Sequence, residues 1–408
     1  MSRLLEGVRV LEVAVLLNGD RLGVLLGDMG ADVVKVERPG VGDYIRDILG
    51  QMGPRLSPAH AQVNKNKRSV TVDVTKPEGR ELYLQLVDGA DAVIDGLLPA
   101  AMDSLGLGPE ALLARKPSLV YCRYTGFGAD GPYAEVPTHG QMMDALAGSI
   151  PLKVEDGLVV RDGTRGPWTT ETGGEGTATG AAYAAMHVAA GLVQAQRSGK
   201  GAYIDVSAAD AVITNAWTGV TYALQMDTLV SKRGMPDMSE DGNNSSRYQY
   251  YATSDDKFVL FCAIEPKFWS KFCDVTGFAA TEQATSGPVD FGGGQLAERR
   301  ALQEVFSGKS LDEWMGIAAE HKLPIGPAYQ SVEELTTDRH LADREVFNLS
   351  ELPGGIRFTY MGQPAVVEGQ PYEVRHHAPE LGQHTAEVLR ETGLSDDEIA
   401  ALREDGVI

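Results

Sequence analysis

The chain has 408 residues, a formal net charge of −21, 43% hydrophobic residues and 23% charged residues. That length carries two domains, or one large domain with an insertion, around a core that needs no staples. The negative charge excludes nucleic acid and anionic membrane as expected partners, and an anionic substrate would need a local basic patch. Cys122, Cys262 and Cys273 lie far apart or lack a paired motif. They read as small buried hydrophobes in a reducing, cytoplasmic setting, not as disulfides or zinc ligands. The opening residues hold no long apolar stretch, and no run of 18 apolar residues follows, so neither a signal peptide nor a membrane span is expected.

In chain order, Val8–Val15 reads as a strand, Asp20–Ala31 as a helix closed by Gly30, and "DVVKVERPG" as a second strand ending in a Pro-Gly turn. This strand–helix–strand unit favours a parallel sheet. Ser69–Val74 alternates like a strand, and a helix follows from Pro77 to Gly89. "DAVIDGL" and "SLVYCRYTGF" add two strands with a helix between them. The first 130 residues thus predict a doubly wound α/β domain, with its ligand beyond the carboxyl ends of the strands. A helix is predicted from about Gln141, then a loop, then a helix from Glu175 to about Gln196, then a strand in "SGKGAYIDVS". Residues 226–242 read as a linker or active-site loop. "RYQYYATSDDKFVLFCAI" predicts a hairpin turning at Ser254–Lys257, and helices follow the loop "FGGGQ". Ser395 is a predicted N-cap near the end.

Glu175 stands between Gly174 and Gly176 at a predicted helix start. A carboxylate there meets free backbone N–H groups and the positive end of the dipole, so it stays ionised and able to act as nucleophile or base. Flanking glycines would let a thioester approach. Glu171 is a nearby competitor. His139 precedes a helix and suits proton transfer near neutral pH. Glu265 ends a strand before a proline and is a further candidate, with plain surface as the alternative. Arg38 and the basic set Asn64–Ser69 sit at strand or turn edges, where they suit a phosphate-bearing ligand. His376, His377 and His384 lack the spacing of a zinc helix. Trp168 and "MMDALAGSI" suit either an apolar acyl pocket or the core.

From "VRVLEVAVLLNGDRLGVLLGDMGADVVKVERPGVGD" through "YTGFGADGPYAEVP", "RSGKGAYIDVSAADA" and "AIEPKFW" to "APELGQHTAEVLRETGLSDDEIAALREDGVI", nearly the whole chain resembles the family III CoA-transferases. This is the CaiB/BaiF group, which also contains α-methylacyl-CoA racemases. The resemblance implies a large doubly wound, Rossmann-like α/β domain built from both chain ends (1–225 and 331–408), and a smaller α+β domain at 226–330. It also implies an interlocked homodimer. The activity it implies is CoA transfer between a thioester and a carboxylic acid through a carboxylate-linked anhydride and thioester. The acyl-CoA is then a substrate, and no tightly bound cofactor or metal is expected.

Glu175 falls where the transferases place an aspartate nucleophile. In the racemases of the group, His139, Glu175 and Glu265 match the histidine, aspartate and supporting glutamate, so 1,1-proton transfer at an α-carbon is the alternative activity. A CoA-binding protein without catalysis is a second alternative, because the usual aspartate is missing. Arg38, Lys67 and Arg68 are the implied CoA phosphate contacts. Gly96 and Leu97 replace an asparagine–phenylalanine pair that meets CoA in some members. Leu17 stands where a glutamine is common, and Ser104 where an arginine is.

Overall fold

The computed structural model describes residues 3–162, 175–231, 245–279, 288–292 and 296–408, with the side chain of Glu175 outside the description. The chain divides into two compact units, one from residues up to Ala223 together with Arg344–Ile408, the other Leu224–Asp343.

The first unit is organised by a six-stranded sheet. Strand β1 (Arg9–Val13) feeds helix α1 (Leu17–Asp28), and β2 (Asp32–Glu37) returns parallel to β1. A 3₁₀ turn (Tyr44–Arg46) and α2 (Pro58–Asn64) lead to β3 (Lys67–Thr71). Helix α3 (Pro77–Asp88) follows, with Pro77 at its first turn and Gly89 as C-cap, then β4 (Ala92–Asp95). Two short helices, α4 (Pro99–Asp103) and α5 (Pro109–Arg115), precede β5 (Val120–Thr125). After α6 (Met142–Leu146) comes a hairpin, β6 (Leu152–Glu155) and β7 (Leu158–Arg161), where the sequence predicts a loop. Its strands are mostly exposed on both faces, so their alternation gives no burial signal. Helix α7 (Glu175–Ser198) then leads to β8 (Ala202–Ser207), α8 (Ala208–Asn215) and α9 (Trp217–Gln225).

The sheet order is β3-β2-β1-β4-β5-β8, and every pairing is parallel. The sheet therefore extends beyond the first 130 residues, because β8 completes its edge. Successive residues feed opposite cores, as strand geometry requires. Leu11, Val34 and Val36 pack with Leu82, Leu86 and Leu112 on one face. Val10, Val33 and Ile94 pack with Leu22, Ala184 and Val188 on the other.

The second unit holds β9 (Gln249–Ala252), β10 (Phe258–Phe261), α10 (Pro266–Thr276), α11 (Leu296–Phe306), α12 (Leu311–His321), β11 (Ile325–Pro327), α13 (Val332–Thr337) and α14 (Arg339–Asp343). β9 and β10 form the predicted hairpin, and Tyr251, Phe261, Phe272, Phe306 and Trp314 fill the core beside it.

Back in the first unit, β12 (Phe347–Leu352) pairs with β13 (Ile356–Met361), followed by α15 (Thr385–Glu391) and α16 (Asp396–Glu404), the last opened by a capping box from Ser395 and Glu398. Cys122 is buried as predicted, whereas Cys262 and Cys273 are only half-buried, each on the second unit's shell. Among the described residues no helix is long and apolar enough to cross a membrane.

Candidate active site

Strand order reverses direction at β1, with β2 on one side and β4 on the other. In open α/β sheets the crevice beyond such a switch point is the usual ligand site. Here it holds a cavity of about 470 Å³, lined by Val15–Asn18 after β1, by Gly96 and Leu97 after β4, and by Thr125–Phe127 at the end of β5. Its walls are completed by Tyr44, Ile45, Ile48 and Leu49, by the 134–140 segment with Met143, and by Thr177 in the first turn of α7. The volume lies within the range of small-molecule sites.

The sequence-predicted residues separate sharply. His139 lines the cavity and is exposed; its backbone N–H donates to Met142 Sδ at 3.4 Å. Gly96 and Leu97 line it too. At Gly96 a Cβ would come within 2.8 Å of the Ala14 Cβ, so the missing side chain is what lets the corner after β1 close against β4. Arg38 is exposed in an adjoining groove of about 160 Å³, which shares Val15 and Leu97 with the main cavity. Glu265 belongs to the second unit, half-buried as the N-cap of α10.

Helix α7 begins at Glu175. Its start is fixed by a residue that sequence reasoning missed. The buried Asp144 carboxylate accepts the Gly176 N–H at 3.1 Å, which satisfies a donor of the helix's first turn. The Tyr124 hydroxyl donates to the Gly176 and Thr177 carbonyls at 2.9 and 3.0 Å, and the Thr177 hydroxyl donates to Asn18 Oδ1 at 2.9 Å. The expectation that Gly176 makes room for a thioester is corrected: a Cβ there would meet the Met143 Cβ at 2.7 Å, so its space is taken by helix packing. Gly174, Glu171 and Trp168 lie outside the described residues.

Lys67 and Arg68 are also corrected. Lys67 is fully buried, donating to Glu12 Oε1 (2.8 Å), the Asp20 carbonyl (2.9 Å) and Asn64 Oδ1 (3.1 Å), which engages all three of its donors. Arg68, the second residue of β3, lies at the amino end of the sheet, away from the crevice. It pairs with Asp32 (2.6 Å), Glu387 (2.9 Å) and Glu391 (2.7 Å). Neither side chain is placed to meet a phosphate at the carboxyl end.

Beneath the corner after β1 lies a buried ionic network. The Lys35 ammonium, 1% exposed, meets the carboxylates of Asp20, Glu12 (3.3 Å) and Asp43 (2.9 Å) and the Ala14 carbonyl (3.1 Å). Burial pushes the Asp20 carboxyl well above its ordinary value, against the pull of Lys35 and Lys67. Burial would also raise Asp43, but Lys35 and the N–H groups of Ile45 and Leu16 outweigh it and hold the group at about 2. Burial, then the charges of Arg46 and Lys35, push the His60 imidazole down to about 3.

Leu16, the residue this network grips, has φ 62° and ψ −154°, a region that residues other than glycine rarely enter. Both Asp43 oxygens accept its N–H, at 3.1 and 3.0 Å. The network thus holds a strained corner in the cavity wall. Nothing in the local sequence announces it, since its members come from four separate segments. Among the described residues, no cluster of three or more His, Cys, Asp or Glu is placed to hold a metal.

Comparison with known proteins gives the chain a family. The family model for CoA-transferase family III matches residues 5–385. A succinate–glutarate CoA-transferase of Agrobacterium fabrum is 29% identical over 402 residues, covering 95% of each chain. A formyl-CoA:oxalate CoA-transferase of a Bradyrhizobium species is 27% identical, covering 100% of this chain and 98% of its own. A CaiB/BaiF family protein from Brucella suis has a crystal structure that superposes with a TM-score of 0.71 at 27% identity, covering 96% of this chain and 100% of that one.

Proposed function

The chain belongs to CoA-transferase family III, and from that premise we propose that it moves coenzyme A between an acyl thioester and a carboxylic acid in the switch-point cavity, with Glu175 as nucleophile. The observation that carries this is the meeting of the first turn of α7 with the corner after β1, where the Thr177 hydroxyl donates to Asn18 in the cavity wall.

Covalent catalysis splits the exchange into easier steps. The Glu175 carboxylate attacks the thioester carbonyl; the C–S bond breaks, leaving a mixed anhydride and CoA thiolate. The thiolate attacks the glutamyl carbon of the anhydride, releasing the first acid and leaving a glutamyl-CoA thioester. The incoming carboxylate repeats the sequence in reverse. The new acyl-CoA leaves and Glu175 is regenerated, with no net redox change. The N-terminus of α7 favours the ionised carboxylate this requires. Arg38, in the groove that continues the cavity, meets the CoA phosphates. The larger unit is the CoA-binding body. The exposed Trp217 and Tyr222, together with the exposed aliphatics of the β6–β7 hairpin, support burial against a second copy in a homodimer. The relatives are named for succinate, glutarate, formyl-CoA and oxalate.

A second reading draws on His139, which lines the same cavity: Glu175 and His139 as the acid–base pair of an α-methylacyl-CoA racemase. One experiment separates the two. Acyl-CoA and acceptor acid are incubated with the enzyme and with Glu175→Gln, and exchange is followed by mass spectrometry, with hydroxylamine trapping of the enzyme-bound thioester. The transferase reading expects exchange at least about a thousandfold slower in the variant and a hydroxamate on Glu175. Full exchange by Glu175→Gln removes the nucleophile. Deuterium entering the α-carbon of a 2-methylacyl-CoA in heavy water, without acceptor, establishes the racemase instead.

A further inference from the structure

Two walls of the cavity meet on one buried carboxylate. Both Asp43 oxygens accept the Leu16 N–H (3.1 and 3.0 Å). Oδ1 also accepts the Ile45 N–H (2.9 Å), and Oδ2 accepts from the Lys35 ammonium (2.9 Å). Leu16 belongs to the corner after β1 and Ile45 to the 3₁₀ turn, and both line the cavity. Asp43 itself is 1% exposed, so it stands behind the wall, and a ligand in the cavity meets the residues it holds. That grip has a strain to overcome. Leu16, at φ 62° and ψ −154°, stays in such a conformation only where its surroundings over-determine it.

The strained residue leads directly into α1. Leu17 opens that helix, and Asn18 follows, where its Oδ1 accepts the Thr177 hydroxyl in the first turn of α7 at 2.9 Å. That turn is anchored separately from its other side. Asp144 accepts the Gly176 N–H, and the Tyr124 hydroxyl donates to the Gly176 and Thr177 carbonyls. The start of α7 is thus fixed to β5 and α6, the corner is fixed to Asp43, and the Asn18–Thr177 bond joins the two. Loss of Asp43 frees the corner and leaves the helix start in place. We propose that Asp43 is a positioning residue for CoA transfer: by holding Leu16 in its strained backbone, it keeps the Leu16–Asn18 wall in register with the turn that carries Glu175. Asp43 touches no reacting atom, and its role rests on the transferase reading. A displacement of about 1 Å far from the chemistry costs roughly a hundredfold in rate.

Rescue by glycine tests it. Asp43→Asn keeps the size of the side chain, but its amide nitrogen accepts no hydrogen bond, so Leu16, Ile45 and Lys35 cannot all be served. With succinyl-CoA and labelled succinate, we expect kcat for exchange to fall about a hundredfold and KM for the thioester to stay within about threefold. Adding Leu16→Gly to Asp43→Asn should raise kcat again by at least about tenfold, because glycine takes that backbone without strain and needs no holder. Neither a lost substrate contact nor a general loss of stability would be repaired in this way. A double variant as slow as Asp43→Asn overturns the proposal, and so does Asp43→Asn with wild-type kcat. Thr177→Val leaves the buried network whole and decides the matter if Asp43→Asn does not fold. It should lower kcat at least about tenfold, and an unaltered kcat overturns the proposal. Hydrogen exchange supplies a readout free of turnover. The Leu16 and Ile45 amides should exchange at least about tenfold faster in Asp43→Asn, and unchanged protection overturns the proposal. Glu175→Gln, run beside these, separates the two readings. Full exchange by Glu175→Gln, with Leu16→Gly still rescuing Asp43→Asn, removes the nucleophile and retains the positioning role.

Discussion

At the amino end of the central sheet, Arg9 and Arg68 share Asp32 and Glu391 as ion-pair partners. At the carboxyl end Arg38 stands exposed, and among the described residues it has no ion pair. Both ends carry strand-edge arginines, yet Arg9 and Arg68 close the fold while Arg38 is spent on no ion pair among the described residues. Lys67 shows the same consumption of charge, sealed among Glu12, Asp20 and Asn64 and absent from the cavity lining. Basic residues in this chain are read correctly only when the end of the sheet they serve is known.

The comparison can be broken most forcefully at Lys35. Lys35→Met leaves the buried Asp43 carboxylate without its cation and Asp20 and Glu12 to share Lys67 alone, and we expect a loss of about 3–5 kcal/mol in urea unfolding. A loss below about 1 kcal/mol would show that the network under the corner does not support it.

His60 offers a test through pH. Its folded value, about 3, lies below the unfolded value near 6.5, so between these the unfolded chain binds a proton that the native state refuses. Stability therefore falls as pH drops below about 6.5, by roughly 1.4 kcal/mol per pH unit from this group. Asp43 acts in a lower window. Held at about 2, it contributes stability above the unfolded value near 4 that is lost as pH falls toward 2. The pH 5 to 7 slope of denaturant midpoints should flatten in His60→Gln, and an unchanged slope removes His60 as its source.

The smallest effects sharpen the comparison best. Arg68→Ala should cost about 1 kcal/mol, discounted because its partners are partly exposed, and leave KM for acyl-CoA unaltered. Arg38→Ala should raise that KM roughly tenfold with little change in melting temperature. Reversed phenotypes would exchange the assignments of the two ends.

What was legible in the sequence was local. Pro77 and Gly89 bracket α3, and Ser395 caps α16, because the atoms that matter lie within a few residues. The strand–helix–strand opening was readable for the same reason, and a cavity does open beyond the carboxyl ends of its strands. The roles of Lys67 and Arg68 were not readable, since their partners lie up to 323 positions away. Asp144 looked like any polar residue in a short helix, and its service to Gly176 crosses 32 positions. The strain at Leu16 leaves no mark on residue type at all. Sequence proximity reports turns and caps; it does not report which charge a folded interior will consume.

The edge strand β3 has its own neighbour in an unexpected place. The Thr385 hydroxyl accepts the Thr71 N–H (3.0 Å), the His384 N–H donates to the Ser69 carbonyl (2.9 Å), and the Val407 carbonyl accepts the Asp73 N–H (2.8 Å). Segments more than 300 residues apart thus blunt an edge that would otherwise invite pairing with another chain. During synthesis, the ribosome delivers β3 long before its cover. The nascent sheet must wait, with an open edge, while the second unit is made and folds; only then does the returning chain seal it. The order of synthesis thus makes the last residues of the chain the closure of one of its first strands.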